Sequence, residues 1–411
     1  MPGKLSVMQK NKNTNQKKVF RVGIDARFFG LENKGLGRYT NELIEGLDKI
    51  LPADSSAEKN IEYFIFLKKD KIDKYHPQSK RIRKVPADFR WYSWSEQIRF
   101  PLLLNKHNLD LVHFPHFNVP FLYRRKFVVT IHDLILFHYP TLKNTTLSKI
   151  KYLIKLTAYH FLIRQIGHRA SKIIAISAFT KKDLVKTLKV PAKKIVVVSE
   201  GAEFGGNKAE KRKKKRCDDI LKKYGIIKPY LLYVGNAYPH KNLERLLLAF
   251  QSIQRNLPKD YQLVLVGKKD YFYQRLKKFI RERKIKRVVI TDYISDKELT
   301  CVYEQGRLFV FPSLYEGFGL PPLEALLKGL PVISSDKSSL PEILGDKVIY
   351  FNPERTKEIE RALGKVLQNP EKGIYLSEAE KRALRNKYSW EKMVKELENI
   401  YQQQLNEQLN D

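Results

Sequence analysis

Two carboxylates, Glu316 and Glu324, are separated by seven residues in the stretch FVFPSLYEGFGLPPLEALLKGL at 309–330. Between them stand the turn Gly317-Phe318-Gly319, then Leu320 and the pair Pro321-Pro322. The short apolar run Leu308 to Phe311, stopped by Pro312, reads as a buried strand. Leu323 to Lys328 reads as a helix with prolines in its first turn. A strand, a glycine turn and a helix in that order aim backbone N–H groups and a positive helix end at an anion. One glutamate before that site and one inside the helix's first turn offer two acceptors for sugar hydroxyls.

Other residues could act with this pair. Lys241 follows the apolar run that ends at Gly235-Asn236, close to the start of a helix. A cation is disfavoured there unless it meets an anion. A second glycine turn, Gly35-Leu36-Gly37, follows the first candidate strand and opens a helix at Arg38–Leu47, a switch point in a doubly wound domain. His132-Asp133 closes the strand Phe127–Ile131, so the imidazole points into a cleft. His113 and His116 end another strand; they line the cleft or are structural, and no third ligand stands near them to make a metal site. No D-x-D triplet occurs, nor a nucleotide P-loop, nor a G-x-S-x-G elbow.

The elements that must position these groups alternate. Strands are predicted at Phe20–Asp25, Tyr63–Leu67, Leu111–Phe114, Phe127–Ile131, Ile173–Ile176 and Ile195–Ser199. A second series is predicted at Tyr230–Val234, Gln262–Val266, Val288–Thr291, Leu308–Phe311, Val332–Ser334 and Val348–Phe351. Most are continuously apolar, as parallel strands covered on both faces are. The 411 residues suit two domains. The division reads as a basic disordered tail at 1–18, an acceptor-side domain at 19–203, a linker region at 204–228 and a donor domain at 229–385. A terminal helix follows at 386–411. The polar, glycine- and lysine-rich Gly201–Lys215 is the expected hinge.

Composition narrows the setting. Lysine and arginine number 78 against 44 acidic residues, a net charge of +34. That excess favours a polyanionic partner, nucleic acid or an anionic membrane surface. The lysine runs lack interleaved aromatics and match no nucleic-acid motif, so no nucleic-acid partner is expected. Leu147–Arg169 reads as a basic amphipathic helix, packed on a sheet or lying at a membrane surface. There is no secretory leader pattern or spanning run, and two cysteines, Cys217 and Cys301, suggest no disulfide framework. A cytoplasmic location fits, possible contact with the inner face of the plasma membrane included.

The 309–344 stretch resembles the donor-site signature of retaining GT-B glycosyltransferases of family 4. So do VGIDARFFGLENKGLGRYTNELIEGL at 22–47, VVTIHDLILFHYP at 128–140, KIIAISAFTKKDL at 172–184 and YLLYVGNAYPHKNLERLLLAF at 230–250. Within the family, the likeness is to bacterial mannosyltransferase-like enzymes of surface polysaccharide assembly. The resemblance implies an α/β fold of two doubly wound Rossmann-like domains facing a cleft, with the C-terminal helix crossing back. It implies retaining transfer of a hexose, mannose from GDP-mannose first, to a saccharide or lipid-linked saccharide, with a UDP- or dTDP-sugar as alternative donor. A non-enzymatic nucleic-acid binder is a remote alternative. No cofactor and no metal are expected. Glu316, His132 and Lys241 would be catalytic: Glu316 on a sugar hydroxyl, His132 beside the donor sugar, Lys241 on the leaving phosphate. Gly35, Gly37, Gly235, Asn236, Gly317, Phe318, Gly319 and Leu320 would line the donor, and Glu324 would bind the ribose. The arginine that commonly accompanies the lysine is missing, since Asn236 follows Gly235 and His240 precedes Lys241.

Overall fold

A computed structural model describes residues 19–30, 34–51, 61–140, 148–202, 214–257 and 260–410. The tail at 1–18 and residues 203–213 of the expected hinge lie outside these. The first half supplies β1 (Phe20–Asp25), β2 (Ile61–Leu67), β3 (Ile82–Pro86), β4 (Leu111–Phe114), β5 (Phe127–Ile131), β6 (Lys172–Ala175) and β7 (Ile195–Val197). They form one sheet in the order β3-β2-β1-β4-β5-β6-β7. The second half supplies β8 (Tyr230–Val234), β9 (Gln262–Val266), β10 (Val288–Ile290), β11 (Leu308–Phe311), β12 (Val332–Ser335) and β13 (Ile349–Phe351). Their order is β10-β9-β8-β11-β12-β13. Every recorded pairing is parallel. In each sheet the order reverses beside its first strand, between β1 and β4 and between β8 and β11. Ligands of doubly wound sheets bind beyond the strand ends at that reversal.

The helices used below are α1 (Lys34–Ile50), α2 (Trp94–Lys106), α3 (Lys149–Arg169), α4 (Ala178–Leu188), α5 (Lys214–Lys223), α6 (Leu243–Ile253), α7 (Asp296–Glu304), α8 (Leu320–Leu327), α9 (Leu340–Leu344) and α10 (Trp390–Asn410). None of the described helices is long and apolar enough to cross a membrane. Helix α10 crosses back to the first sheet. Trp390, Met393, Val394, Leu397, Ile400, Tyr401 and Leu405 join the core of β1, β2 and α1. Tyr401 donates or accepts at the buried His113 Nδ1, 2.6 Å away, and Thr130 lies 2.9 Å from Nε2. His113 is therefore structural, and burial lowers its pKa to about 3.

Several expectations need correction. The segment Ile82–Pro86, absent from the predicted strands, is the edge strand β3: Ile82 and Val85 are buried while Arg83 stays exposed. Helix α1 begins at Lys34, so Gly35 and Gly37 lie in its first turn instead of forming a turn ahead of Arg38. A side chain at 35 would meet open space. Residues 214–223, inside the expected linker region, are helix α5. It packs on α7, and Cys217 and Cys301 are joined there with Cα atoms 5.3 Å apart. A separation of 84 residues hid that pairing, which only the α5–α7 packing creates.

Beyond β1, Arg27 has a fully buried side chain held by two carboxylates. Asp25 accepts from Nε at 2.8 Å and Nη2 at 2.7 Å, and Glu96 of α2 lies 2.7 Å from Nη1. The guanidinium rests 4.1 Å from the centre of the Phe100 ring. Glu96 also accepts from Asn118 Nδ2 at 2.8 Å. The cluster thus ties β1, α2 and the segment after β4 together. Removing one partner of a buried pair leaves an uncompensated charge. Arg27→Met, which leaves Asp25 and Glu96 buried without their cation, is expected to lower stability by about 3–5 kcal/mol, read as a shifted denaturation midpoint with unchanged slope.

Candidate active site

The groups predicted to do chemistry converge where the second sheet reverses. The segment after β8 is fastened by two tyrosines. Tyr233 donates to the Asn236 carbonyl at 2.8 Å, and Tyr273 donates to the Gly235 carbonyl at 2.8 Å. The Asn236 side chain accepts from Tyr238 N at 3.3 Å and closes a short turn. A 3-10 turn, Pro239–Lys241, then delivers Lys241 to the cleft. His240 is buried and neutral, its pKa driven well down by desolvation; its carbonyl accepts from Leu314 N at 2.7 Å. The lysine turn is thereby stitched to the segment after β11.

That segment carries Glu316. Ser338 Oγ accepts from Glu316 N at 2.9 Å, and Ser339 Oγ contacts the carbonyls of Glu316 and Phe318 at 3.1 and 2.9 Å. Gly319 has φ of +105° and caps α8, a conformation suited to glycine. Lys241 Nζ stands 2.5 Å from Glu316 Oε1, both side chains mostly buried. The two proposed catalytic side chains thus form an ion pair with each other.

Glu324 is the fifth residue of α8, beyond its first turn, contrary to expectation. It is buried and receives Tyr303 Oη at 3.2 Å and the guanidinium of Arg38. Arg38 lies on α1, so this ion pair spans the cleft. Burial pushes the Glu324 carboxyl up, and Arg38 and Tyr303 oppose that shift. Gly35, Gly37 and Arg38 share the first turns of α1, so the helix start lies across the cleft from Glu324. Its cation is the second positive group that the lysine segment lacks. Phe318 does not present its ring to the cleft. The ring is buried in the core, edge-on to Tyr388 at 5.5 Å, so it can serve a ligand only through its backbone. Leu320 packs partly on the same core.

His132 lies at the end of β5, and both ring nitrogens are engaged. Nδ1 is 3.1 Å from Glu200 Oε1, and Nε2 is 2.9 Å from the Pro115 carbonyl. Both partners accept, so the ring satisfies both only as imidazolium. Burial opposes the charge, but Glu200 and Pro115 outweigh it and raise the pKa above the ordinary value. The imidazole in this arrangement has no nitrogen to offer a sugar. What residue 132 turns towards the second domain is its carbonyl oxygen: a Cβ on Gly317 would lie 2.0 Å from it. Asp133, partly buried with a pKa raised by desolvation, faces the Glu316 and Lys241 charges.

Helix α4 completes the junction. Its N-cap, Ser177, accepts from Thr180 N at 3.0 Å and donates to the Gly317 carbonyl at 2.7 Å. Glu342, on α9 of the second domain, accepts from Ala178 N and Phe179 N at 2.7 and 2.8 Å. A carboxylate at a helix N-terminus is favourably placed. Asp183 of α4 receives the hydroxyl of Tyr315, the residue before Glu316, and lies 2.8 Å from His138 Nε2. Sequence reasoning missed Glu200, Asp183, Ser177, Glu342 and the role of Arg38. Only Ser177 carried a signal, as a serine ahead of a helical pattern.

Two family descriptions match this chain. "Glycosyltransferase Family 4" matches residues 34–203, and "Glycosyl transferases group 1" matches residues 218–402. The chain belongs to glycosyltransferase family 4. O-antigen chain mannosyltransferase B of Escherichia coli is 28% identical over 327 residues, 78% of this chain and 81% of the relative. O-antigen chain mannosyltransferase RfbU of Salmonella typhimurium is 28% identical over 283 residues, 68% of this chain and 71% of the relative. Sucrose-phosphate synthase from Thermosynechococcus elongatus superposes with a TM-score of 0.67 at 17% identity, covering 93% of this chain and 98% of that one. Anabaena HepE in complex with UDP and glucose superposes with a TM-score of 0.69 at 14% identity, covering 93% and 100%. These likenesses show the GT-B fold, and the chain is a glycosyltransferase.

The charged histidine gives a pH prediction. A pKa raised on folding contributes stability that is fully present below the unfolded value, about 6.5. It is lost as pH rises through the higher folded value. Glu200→Gln removes the largest raising influence. The stability gap between wild type and Glu200→Gln should be widest near about pH 6 and narrow towards alkaline pH, measured by denaturation across pH. A gap independent of pH would mean that His132 is not held as a cation.

Proposed function

We propose that the protein is a retaining, metal-independent mannosyltransferase that uses GDP-mannose. Its acceptor is a saccharide, lipid-linked in the cell, and its setting is surface polysaccharide synthesis at the cytoplasmic face of the membrane. The mannosyltransferase names of the relatives support the sugar. The observation that carries the reading is the Lys241–Glu316 pair at the β8/β11 reversal, roofed by the first domain.

As the glycosidic bond breaks, charge collects on the leaving diphosphate and the sugar becomes cationic. Lys241 and backbone N–H groups of Asn236 and of the Gly317–Leu320 segment take that charge, which is where fixed cations and dipoles act most strongly. The phosphate competes with Glu316 for Lys241 and frees the glutamate for a sugar hydroxyl. Glu324 exchanges Arg38 for the ribose hydroxyls, and Arg38 turns to the diphosphate. With two protein cations available, no metal ion is needed. His132 forms the wall against which the donor sugar lies. The acceptor hydroxyl attacks from the face the phosphate leaves, and its proton passes to the phosphate, so the anomeric configuration is kept.

Three measurements decide this. Transfer from GDP-mannose should continue in excess EDTA; a strict requirement for added magnesium or manganese would overturn the metal-free reading. Lys241→Ala should lower kcat by about a hundredfold or more when assayed well below its melting temperature, which falls because Glu316 loses its partner. Glu324→Ala should weaken donor binding by about ten- to a hundredfold, the loss of one charge-assisted hydrogen bond. Calorimetry showing unchanged affinity would remove Glu324 from the ribose site. A preference for UDP- over GDP-sugars in the same titrations would reassign the donor.

A further inference from the structure

We propose that one face of the first domain, built from α2, the loop between β4 and β5, and α3, docks on an anionic lipid bilayer by inserting apolar side chains. The inference deepens the reading of a lipid-linked acceptor and rests on it for its purpose. On α2, Trp94, Ile98 and Leu102 succeed one another at four-residue steps with 82%, 49% and 63% of their surface exposed. Four-residue steps keep them on one side of the helix. On α3, Ile150, Ile154 and Phe161 are 75%, 65% and 53% exposed, while Tyr152, Tyr159, Ile163 and Ile166 are buried against the domain. Helix α3 is therefore apolar on two sides, and among the described residues these side chains on one side stay exposed. A soluble helix ordinarily keeps its outer face polar.

The two helices are one surface. Gln97 of α2 accepts from Phe121 N at 2.6 Å, and the Phe121 ring lies 6.0 Å from that of Phe161. Leu122, 46% exposed, stands beside this junction. The charge on the surface has one sign. Helix α3 and the segment 120–127 contain no aspartate or glutamate, and the one carboxylate of α2, Glu96, is buried on Arg27. Arg99, Arg124, Arg125, Lys151 and Arg164 are exposed around it. An apolar strip edged by cations and empty of carboxylates complements acyl chains beneath anionic headgroups. A second copy of the same surface would bring like charges together, and a nucleic acid would leave the apolar strip wet.

The surface also backs the cleft. Tyr159 of α3 packs at 5.1 Å on Phe117 and at 5.7 Å on Phe137. Those rings belong to the segments after β4 and β5, which carry Pro115 and His132. A lipid-linked saccharide reaching up from the bilayer would meet the first domain's side of the cleft directly.

The test uses the full chain with vesicles of phosphatidylcholine and about one-quarter phosphatidylglycerol. Trp94 is the exposed tryptophan, so its emission should shift to the blue as the protein sediments with the vesicles. High salt should weaken binding without abolishing it. Ile98→Ser/Ile154→Ser/Phe161→Ser should bind about tenfold more weakly or worse and lose the blue shift. That variant should keep its melting temperature and its turnover of a soluble acceptor, since none of the three residues belongs to the cleft. Vesicle binding equal to wild type in this variant would overturn the proposal in favour of adhesion by net charge alone. Wild-type self-association abolished by the serines, with no vesicle binding, would overturn it in favour of a second copy. Absence of mannosyl transfer in wild type alongside the expected vesicle behaviour would refute the donor and acceptor reading while leaving the docking surface standing.

Discussion

At the junction of the two domains a backbone carbonyl meets a residue that has no side chain. The oxygen of His132 would lie 2.0 Å from a Cβ at position 317, so the approach exists only because 317 is glycine. Around this point the other cross-domain bonds are arranged: Ser177 to the Gly317 carbonyl, Tyr315 to Asp183, Glu342 to the start of α4, and Arg38 to Glu324. Each needs the two sheets at one separation and one angle. Hydrogen bonds weaken steeply with distance and misalignment, so a domain shift of an ångström or two would release most of them together.

The same closeness explains why the charged groups of the cleft occur in pairs. Lys241 and Glu316, Arg38 and Glu324, and His132 and Glu200 each take an opposite charge to a poorly hydrated place. A buried ion is costly alone and tolerable with a well-placed partner. Two of these pairs are suited to exchange. A diphosphate supplies anions to the cations, and sugar hydroxyls supply donors to the carboxylates. The third pair lies within the first domain and maintains the cleft wall. Fixed charges of this kind need little rearrangement when negative charge develops on a leaving group.

Much of this was legible in the residues. The apolar runs announced β1, β4, β5, β8, β9 and β11 with their observed bounds, because strands covered on both faces cannot afford polar interruptions. The glycines and glutamates at 316–324 announced the turn and helix that carry the candidate site, since turn geometry and charge leave a local imprint. Edge strand β3 escaped because each of its faces is only half covered, Ile82 packing on one and Val85 on the other, and Arg83 and Lys84 interrupt the apolar run. Helix α1 was shortened because glycines at its start were taken for a turn. Glu200 and Asp183 left no imprint at all. Their partners stand 68 and 132 residues away, and only the completed fold brings them together.

The claim that the site is assembled by close approach of Gly317 and His132 is tested most directly by one substitution. Gly317→Ala adds a single methyl group where the fold leaves no room, at the contact between the two domains. Small-angle scattering of wild type and variant, each with saturating nucleoside diphosphate, reports the separation of the domains. The account predicts a larger radius of gyration for Gly317→Ala, retained nucleotide binding by the second domain, and loss of mannosyl transfer. Identical scattering together with undiminished transfer would contradict it.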